Sequence, residues 1–316
     1  MEKHILKIGT RASKLALWQA EHVASLLERA GMTTQIIPIE TKGDQILEVS
    51  ISKIGSKGVF TQELEEQLHL GTIDIAVHSA KDMPSQLGEG LELIAFTARE
   101  KANDILLSRK KDISISAQEN PLVIGTSSTR RVATLRHFYP QISTVEVRGN
   151  LQTRLKKMDE GLCDALLLAY AGVHRMGYDA LIVQELDLEQ FTPAVGQGSV
   201  AIEASTALAE KLKSSIIAAC NDPKTHLCLR AERAYLRVLE GGCSIPVFAL
   251  AQLQGEQIHL QGGILSLDGK ERISLKIQGN LESPEALGEQ LAMQVLQAGG
   301  KKILVDIKKN IHGYDT

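Results

Sequence analysis

The sequence predicts an α/β protein of three domains: two α/β lobes with a cleft between them, and a small α+β domain on a three-stranded antiparallel sheet. Three observations carry this. Over residues 4–98, and again over roughly 99–196, short apolar runs of strand type alternate with segments of helical period, the pattern of sheets covered by helices on both faces. After Phe191-Thr192-Pro193-Ala194-Val195-Gly196-Gln197-Gly198, a short strand at Val200–Glu203 could return the chain to the first unit, so that two crossings join the lobes. The last hundred residues lose the alternation and read as strands joined by turns, with helices on either side. The divisions that follow are 1–98 with 197–218, then 99–196, then 219–316.

In chain order, Ile5–Gly9 reads as a strand and Ser13–Ala30 as a helix, with Leu15, Leu17, Trp18, Val23, Leu26 and Leu27 as its apolar positions. Gln35–Ile39 is a second strand. The long connection from Thr41 to Gly58 holds Lys42, Gly43, Asp44, Lys53, Gly55, Lys57 and Gly58; loops of that length are functional or mobile, and a lid and an ordinary loop fit it equally. A helix over Phe60–Leu70 and strands at Ile73–His78 and Leu91–Ala98 complete the first lobe. A polar segment, Ala98–Asp104, marks the crossing. The second lobe has strands at Leu122–Gly125, Thr144–Val147 and Ala165–Ala169. A helix over His226–Leu239 ends at Gly241-Gly242, a C-cap signal. Strands at Val247–Leu253, Ile258–Ser266 and Arg272–Ile277 and a helix over Pro284–Gln297 close the chain.

Composition narrows the function. At 316 residues, 43% apolar and 23% charged, the chain has the make-up of a soluble globular protein, and no apolar run reaches membrane-spanning length. The amino terminus goes directly into a strand with no presequence pattern, so the cytoplasm is the expected compartment. A net charge of −3 and 3% aromatic residues argue against a nucleic-acid binder. The four cysteines form no CxxC pair and the nine histidines no HExxH, which argues against a metal site.

Chemistry concentrates at strand-to-helix junctions. Val123–Arg131 and Val145–Arg154 each run from a strand through a glycine into a helix, with Ser127 or Ser128 and then Asn150 as N-cap candidates. Arg130, Arg131, Arg148 and Arg154 gather there against one local acid, Glu146. Guanidinium forks and helix N-termini both suit anions, so these junctions form a candidate polyanion cradle; solvated arginines are the plainer reading. Gly9-Thr10-Arg11-Ala12-Ser13 is a third such corner. The strand Ile73–His78 runs into Lys81-Asp82, at the edge where open α/β sheets bind ligands. That pair is either an ordinary surface ion pair or a cleft acid/base. Cys243 sits in the turn Gly241-Gly242-Cys243-Ser244-Ile245-Pro246, more accessible in pattern than Cys163. A thiol of reference pKa about 8.5 beside arginines would shift toward the nucleophilic thiolate.

Together these pieces resemble the porphobilinogen deaminase family along nearly the whole chain. The matching stretches are Arg11-Ala12-Ser13-Lys14-Leu15-Ala16, Lys57-Gly58-Val59-Phe60, Asp74 to Pro84, Gly125 to Arg131, Arg148 to Arg154, Leu168 to Gly177, Ala194 to Gly198 and Glu240 to Pro246. Ser199, where alanine is usual, and Met176, where leucine is common, depart from the pattern without touching the proposed chemistry. The resemblance implies two lobes like periplasmic binding proteins and a dipyrromethane cofactor held by a thioether at Cys243. It implies Asp82 as the catalytic residue. Ser13, Lys81, Thr126, Ser128, Arg130 and Arg131 are implied to bind the cofactor, and Arg11, Arg148, Arg154 and Arg175 the substrate. The implied substrate is porphobilinogen, and the implied reaction is hydroxymethylbilane synthesis, in tetrapyrrole formation. A monomer with no obligate partner, nucleic acid or membrane is the family expectation. The alternative is a non-catalytic two-lobed binding protein for a small polycarboxylate.

Overall fold

The computed structural model describes residues 5–41, 61–116, 122–240 and 244–312. Cys243, the Lys57–Phe60 turn and residues 42–58 of the long connection lie outside the described residues. Within that range the chain forms two compact units, one of residues 5–41, 61–100 and 198–227, the other of the remainder.

The first unit opens with β1 (Ile5–Arg11), α1 (Lys14–Arg29), β2 (Thr33–Ile39), α2 (Gln62–His69), β3 (Ile75–Ser79) and β4 (Leu91–Phe96). β1 runs parallel to both β2 and β3. Pro38 lies in β2, an edge strand, where a missing N–H is tolerated. α1 turns Ala20, Val23, Ala24 and Leu27 onto Leu6, Ile8, Ile75 and Val77, the three-four spacing of one helical face.

The chain then builds the second unit through β5 (Asp104–Leu107), β6 (Val123–Gly125), α3 (Thr129–Phe138), β7 (Ser143–Val145), α4 (Leu151–Asp159), β8 (Ala165–Ala169), α5 (Tyr170–Arg175) and β9 (Ile182–Glu185). The sheet order is β7-β6-β8-β5-β9, with β5 antiparallel to both neighbours. Gly125 ends β6 without a side chain because a Cβ there would lie 2.6 Å from Val147 and 2.7 Å from the Cys163 sulfur. Next, β10 (Val200–Ser205) and α6 (Glu210–Cys220) go back to the first unit. β10 inserts between β3 and β4, antiparallel to both, giving the order β2-β1-β3-β10-β4. The strand after Gly198 therefore does return, as its pattern suggested. Each five-stranded sheet takes its one reversed strand from a segment just past a crossing. β5 was not legible as a strand, because Asp104 heads it and polar residues precede it; Ile105, Leu106 and Leu107 are nonetheless fully buried.

The remaining elements are α7 (Pro223–Val238), β11 (Val247–Gln254), β12 (Gln257–Leu265), β13 (Arg272–Asn280), α8 (Pro284–Val295) and α9 (Lys301–His312). The three strands form the expected antiparallel meander, and α7, α8 and α9 bury Tyr235, Leu291 and Ile303 with its Leu260 in one core. α7 starts ahead of His226 because Asp222 Oδ1 accepts from Thr225 N at 2.7 Å and Pro223 takes the first helical position. This sheet is tied to the second lobe. The fully buried Glu232 accepts from Gly196 N through one oxygen and from Ala251 N through the other, both at 2.8 Å. The Arg272 guanidinium lies 5.3 Å from the Phe138 ring centre and 5.1 Å from that of Phe248.

Candidate functional site

In the first unit a pocket opens where β1 and β3 end. It is lined by Arg11, Ser13, Leu15, Ala16, Gln19, Thr61, Val77, His78, Ser79 and Asp82. Local chemistry fixes its walls. Ser13 is the N-cap of α1, its hydroxyl accepting from Ala16 N at 3.4 Å, and Thr10 Oγ1 donates to Ala16 O at 3.0 Å. One turn along, Gln19 Nε2 donates to Ser79 Oγ at 2.9 Å, joining α1 to the end of β3. His78 Nε2 pairs with Glu203 Oε2 of β10 at 3.0 Å, both side chains buried. Past Ser79 the chain makes a 3-10 turn, Ala80–Asp82, pinned by Ala80 N donating to Ser199 O at 3.0 Å. That turn leaves Asp82 exposed at the pocket rim and Lys81 half-buried beside it. Arg11, Ser13 and Asp82, three of the residues singled out from sequence, thus share one pocket. Gln19, Thr61, His78 and Glu203 were missed. A histidine in an otherwise apolar strand was the available signal for the His78 pair.

In the second unit the β6–α3 junction carries Thr126, Ser128, Arg130 and Arg131. Ser128, rather than Ser127, is the N-cap: its side chain accepts from Arg131 N at 3.5 Å, and its own N–H reaches Thr126 Oγ1 at 3.3 Å. The arginines meet an acid that the local sequence does not contain. Asp104, fully buried, takes Arg130 Nη1 at 2.8 Å and Nη2 at 3.2 Å, Arg131 Nη2 at 2.7 Å and Gln197 Nε2 at 2.9 Å. Arg130 also donates to Thr192 O at 2.9 Å and Arg131 to Leu167 O at 3.2 Å. Both arginines are buried. Glu146 is therefore not their counter-ion; it pairs with Arg148 at 2.5 Å. Burial alone would raise the Asp104 pKa, but the two guanidiniums outweigh it and hold the carboxyl well below the usual carboxylate range. Burial presses Arg130 downward as well. The carboxylate direction is the one that matters, because a guanidinium starts high enough to stay charged.

At the second junction Asn150 caps α4, its Oδ1 accepting from Thr153 N at 2.9 Å. Gly149 precedes it at φ +111°, a conformation glycine adopts freely, and its carbonyl accepts from Arg154 Nε at 2.7 Å. Arg175 ends α5. Of the cysteines, Cys163, Cys220 and Cys228 are buried, and burial pushes the Cys220 thiol up to about 12 and raises that of Cys163. Among the described residues no cluster of His, Cys, Asp or Glu could hold a metal ion, and no helix is long and apolar enough to cross a membrane.

Residues 6–213 match the family model described as porphobilinogen deaminase, dipyromethane cofactor binding domain, and residues 226–297 match that of the porphobilinogen deaminase C-terminal domain. The chain belongs to the porphobilinogen deaminase family. It is 55% identical to the porphobilinogen deaminase of Desulfosudis oleivorans over 96% of this chain and 98% of that protein. It is 56% identical to that of Cytophaga hutchinsonii over 97% and 98%. Among solved structures it is similar to the periplasmic aliphatic sulphonate binding protein SsuA of Escherichia coli, at 15% identity and a TM-score of 0.41, over 74% of this chain and 70% of that one.

The donors suit a dipyrromethane, whose acetate and propionate arms are carboxylates. In the domain matched to cofactor binding, the Nε atoms of Arg130 and Arg131 are buried and have no hydrogen-bond partner among the described residues. Their terminal nitrogens already donate to Asp104 and to carbonyls, so much of each guanidinium is committed inside the protein.

Proposed function

We propose that this chain is a hydroxymethylbilane synthase, a transferase of tetrapyrrole formation. It condenses four porphobilinogen molecules stepwise onto a covalent dipyrromethane, releasing ammonia at each condensation, then frees the linear hydroxymethylbilane by hydrolysis. The observation that carries the mechanism is the exposed Asp82 carboxylate in one pocket with Arg11 and Ser13, at the carboxyl end of β3. Asp82 faces the incoming ring. It orients the aminomethyl group and the pyrrole N–H, and stabilises the cation left as the C–N bond breaks and ammonia departs. It then takes the α-proton released once the new carbon–carbon bond has formed. Arg11 holds a carboxylate arm of the substrate beside it, while Ser13 in the same pocket and Lys81, next to Asp82 in the chain, bind the cofactor. Arg148, Arg154 and Arg175 bind arms of the growing chain, while Thr126, Ser128, Arg130 and Arg131 bind the cofactor. When bound, the dipyrromethane supplies the free pyrrole α-carbon for the first condensation.

Cys243 carries the thioether. The burial of Cys163, Cys220 and Cys228 supports this, since a thiol kept away from solvent is a poor nucleophile, and burial also raises the pKa of Cys163 and Cys220. The domain division at 1–98 with 197–218, 99–196 and 219–316 gives one sheet to each domain, and the three separate sheets support it. We expect a cytoplasmic monomer that binds neither nucleic acid nor membrane, in keeping with the net charge of −3. A receptor without chemistry explains two lobes and arginines but not the family match across both parts of the chain.

The intact mass of the denatured protein tests the assignment. An excess of two pyrrole units over the polypeptide, mapped to the peptide containing Cys243, is expected. A bare polypeptide mass that stays bare after incubation with porphobilinogen would refute it.

A further inference from the structure

Thr61 is 2% exposed, and its Oγ1 has no hydrogen-bond partner among the described residues, yet it lines the pocket that holds Arg11 and Asp82. A buried hydroxyl left unpaired destabilises a fold, and native proteins pair nearly all such groups. Thr61 also declines the local outlet open to it. It is the N-cap of α2, where a threonine oxygen ordinarily accepts from an N–H two or three residues on, but at φ −119° and ψ −25° no side-chain cap bond forms. Because Glu63 and Glu65 occupy the first turn of α2, the helix end itself is a poor anion site. What recommends the position is the hydroxyl and the guanidinium sharing its pocket.

We propose that Thr61 is a further ligand-binding residue, its Oγ1–H donating to a carboxylate arm of a pyrrole ring held in this pocket beside Arg11. This rests on the reading of the pocket given above. A carboxylate arm suits the position better than the cationic aminomethyl group, which Asp82 attracts. The ring is either one of the cofactor's or that of the incoming substrate.

Thr61→Val removes the hydroxyl at nearly constant volume, and Thr61→Ser keeps it. Both are prepared as the full-length chain beside the wild type, as purified for occupancy and kinetics and without cofactor for melting. The readings are cofactor occupancy by intact mass, KM and kcat for porphobilinogen, and the thermal midpoint of cofactor-free protein. In Thr61→Val, lowered occupancy places the bond on the cofactor. Full occupancy with KM raised about tenfold and kcat nearly unchanged, the loss expected for a hydrogen bond to a charged group, places it on the substrate. Thr61→Ser should stay near wild type in both. The cofactor-free valine variant should melt at or above the wild-type temperature, because an apolar isostere replaces an unpaired polar atom. Wild-type occupancy and KM in Thr61→Val would overturn the proposal and leave the deaminase reading standing. So would a serine variant as impaired as the valine one, or a valine midpoint well below wild type, since the hydroxyl would then be structural. A wild-type chain that neither carries cofactor nor turns over would end both.

Discussion

Replacing Asp104 by asparagine keeps the shape of the side chain and removes the one negative charge that two buried arginines share. Asparagine can still accept from Arg131 Nη2 and Gln197 Nε2, now 2.7 and 2.9 Å from Oδ1. Its amide nitrogen, however, would face Arg130 Nη1, which lies 2.8 Å from Oδ2. Two guanidiniums 5% and 6% exposed would then repel each other with no counter-ion. Breaking a buried ion pair by removing one partner costs roughly 3–5 kcal/mol, and two stranded cations put Asp104→Asn at the upper end. In thermal terms that is a fall of roughly 10 °C or more. Urea and thermal unfolding followed by far-UV circular dichroism would measure it. The pH dependence adds a second check. The folded pKa of Asp104 lies below the ordinary carboxylate value of about 3.9. Its contribution is therefore complete above that value, fades as pH falls below it, and is gone once pH has passed the depressed folded one. The stability gap between wild type and variant should stay constant from neutral pH down to about pH 4 and shrink below it. A gap under about 1 kcal/mol at neutral pH, the range of an exposed pair, or a gap that widens with acid, would refute the reasoning.

Two further outcomes test the site and the seam. Asp82→Ala should retain the cofactor by intact mass and lose turnover by about 10²-fold or more, the range for a positioned acid–base group; near-normal kcat would remove Asp82 from the chemistry. Glu232→Leu leaves the buried Gly196 and Ala251 amides without their acceptor. At about 1–3 kcal/mol for each orphaned group, unfolding should move to clearly lower denaturant, and an unchanged midpoint would show that other acceptors replace the carboxylate.

Much of this protein was written locally. Helical faces, strand runs and caps depend on residues within a few positions of one another, which is why Ser13 and Asn150, the β6–α3 and β7–α4 junctions and the antiparallel meander were all legible. So was the return of the strand at Val200. The motifs were legible for the same reason: Arg11 and Ser13 lie on one turn, and Asp82 three residues past the end of β3. Tertiary structure decided the partners. Arg130 and Arg131 found their carboxylate 26 and 27 residues upstream, in a strand that reads as loop until β8 and β9 bury it. His78 found Glu203 across 125 residues because β10 runs back beside β3, and Thr61 entered the pocket because α2 packs over the same sheet. Electrostatic pairing and burial act through space and are indifferent to separation along the chain, so the sequence alone revealed which residues are charged, and the fold decided which of them are already paired with each other.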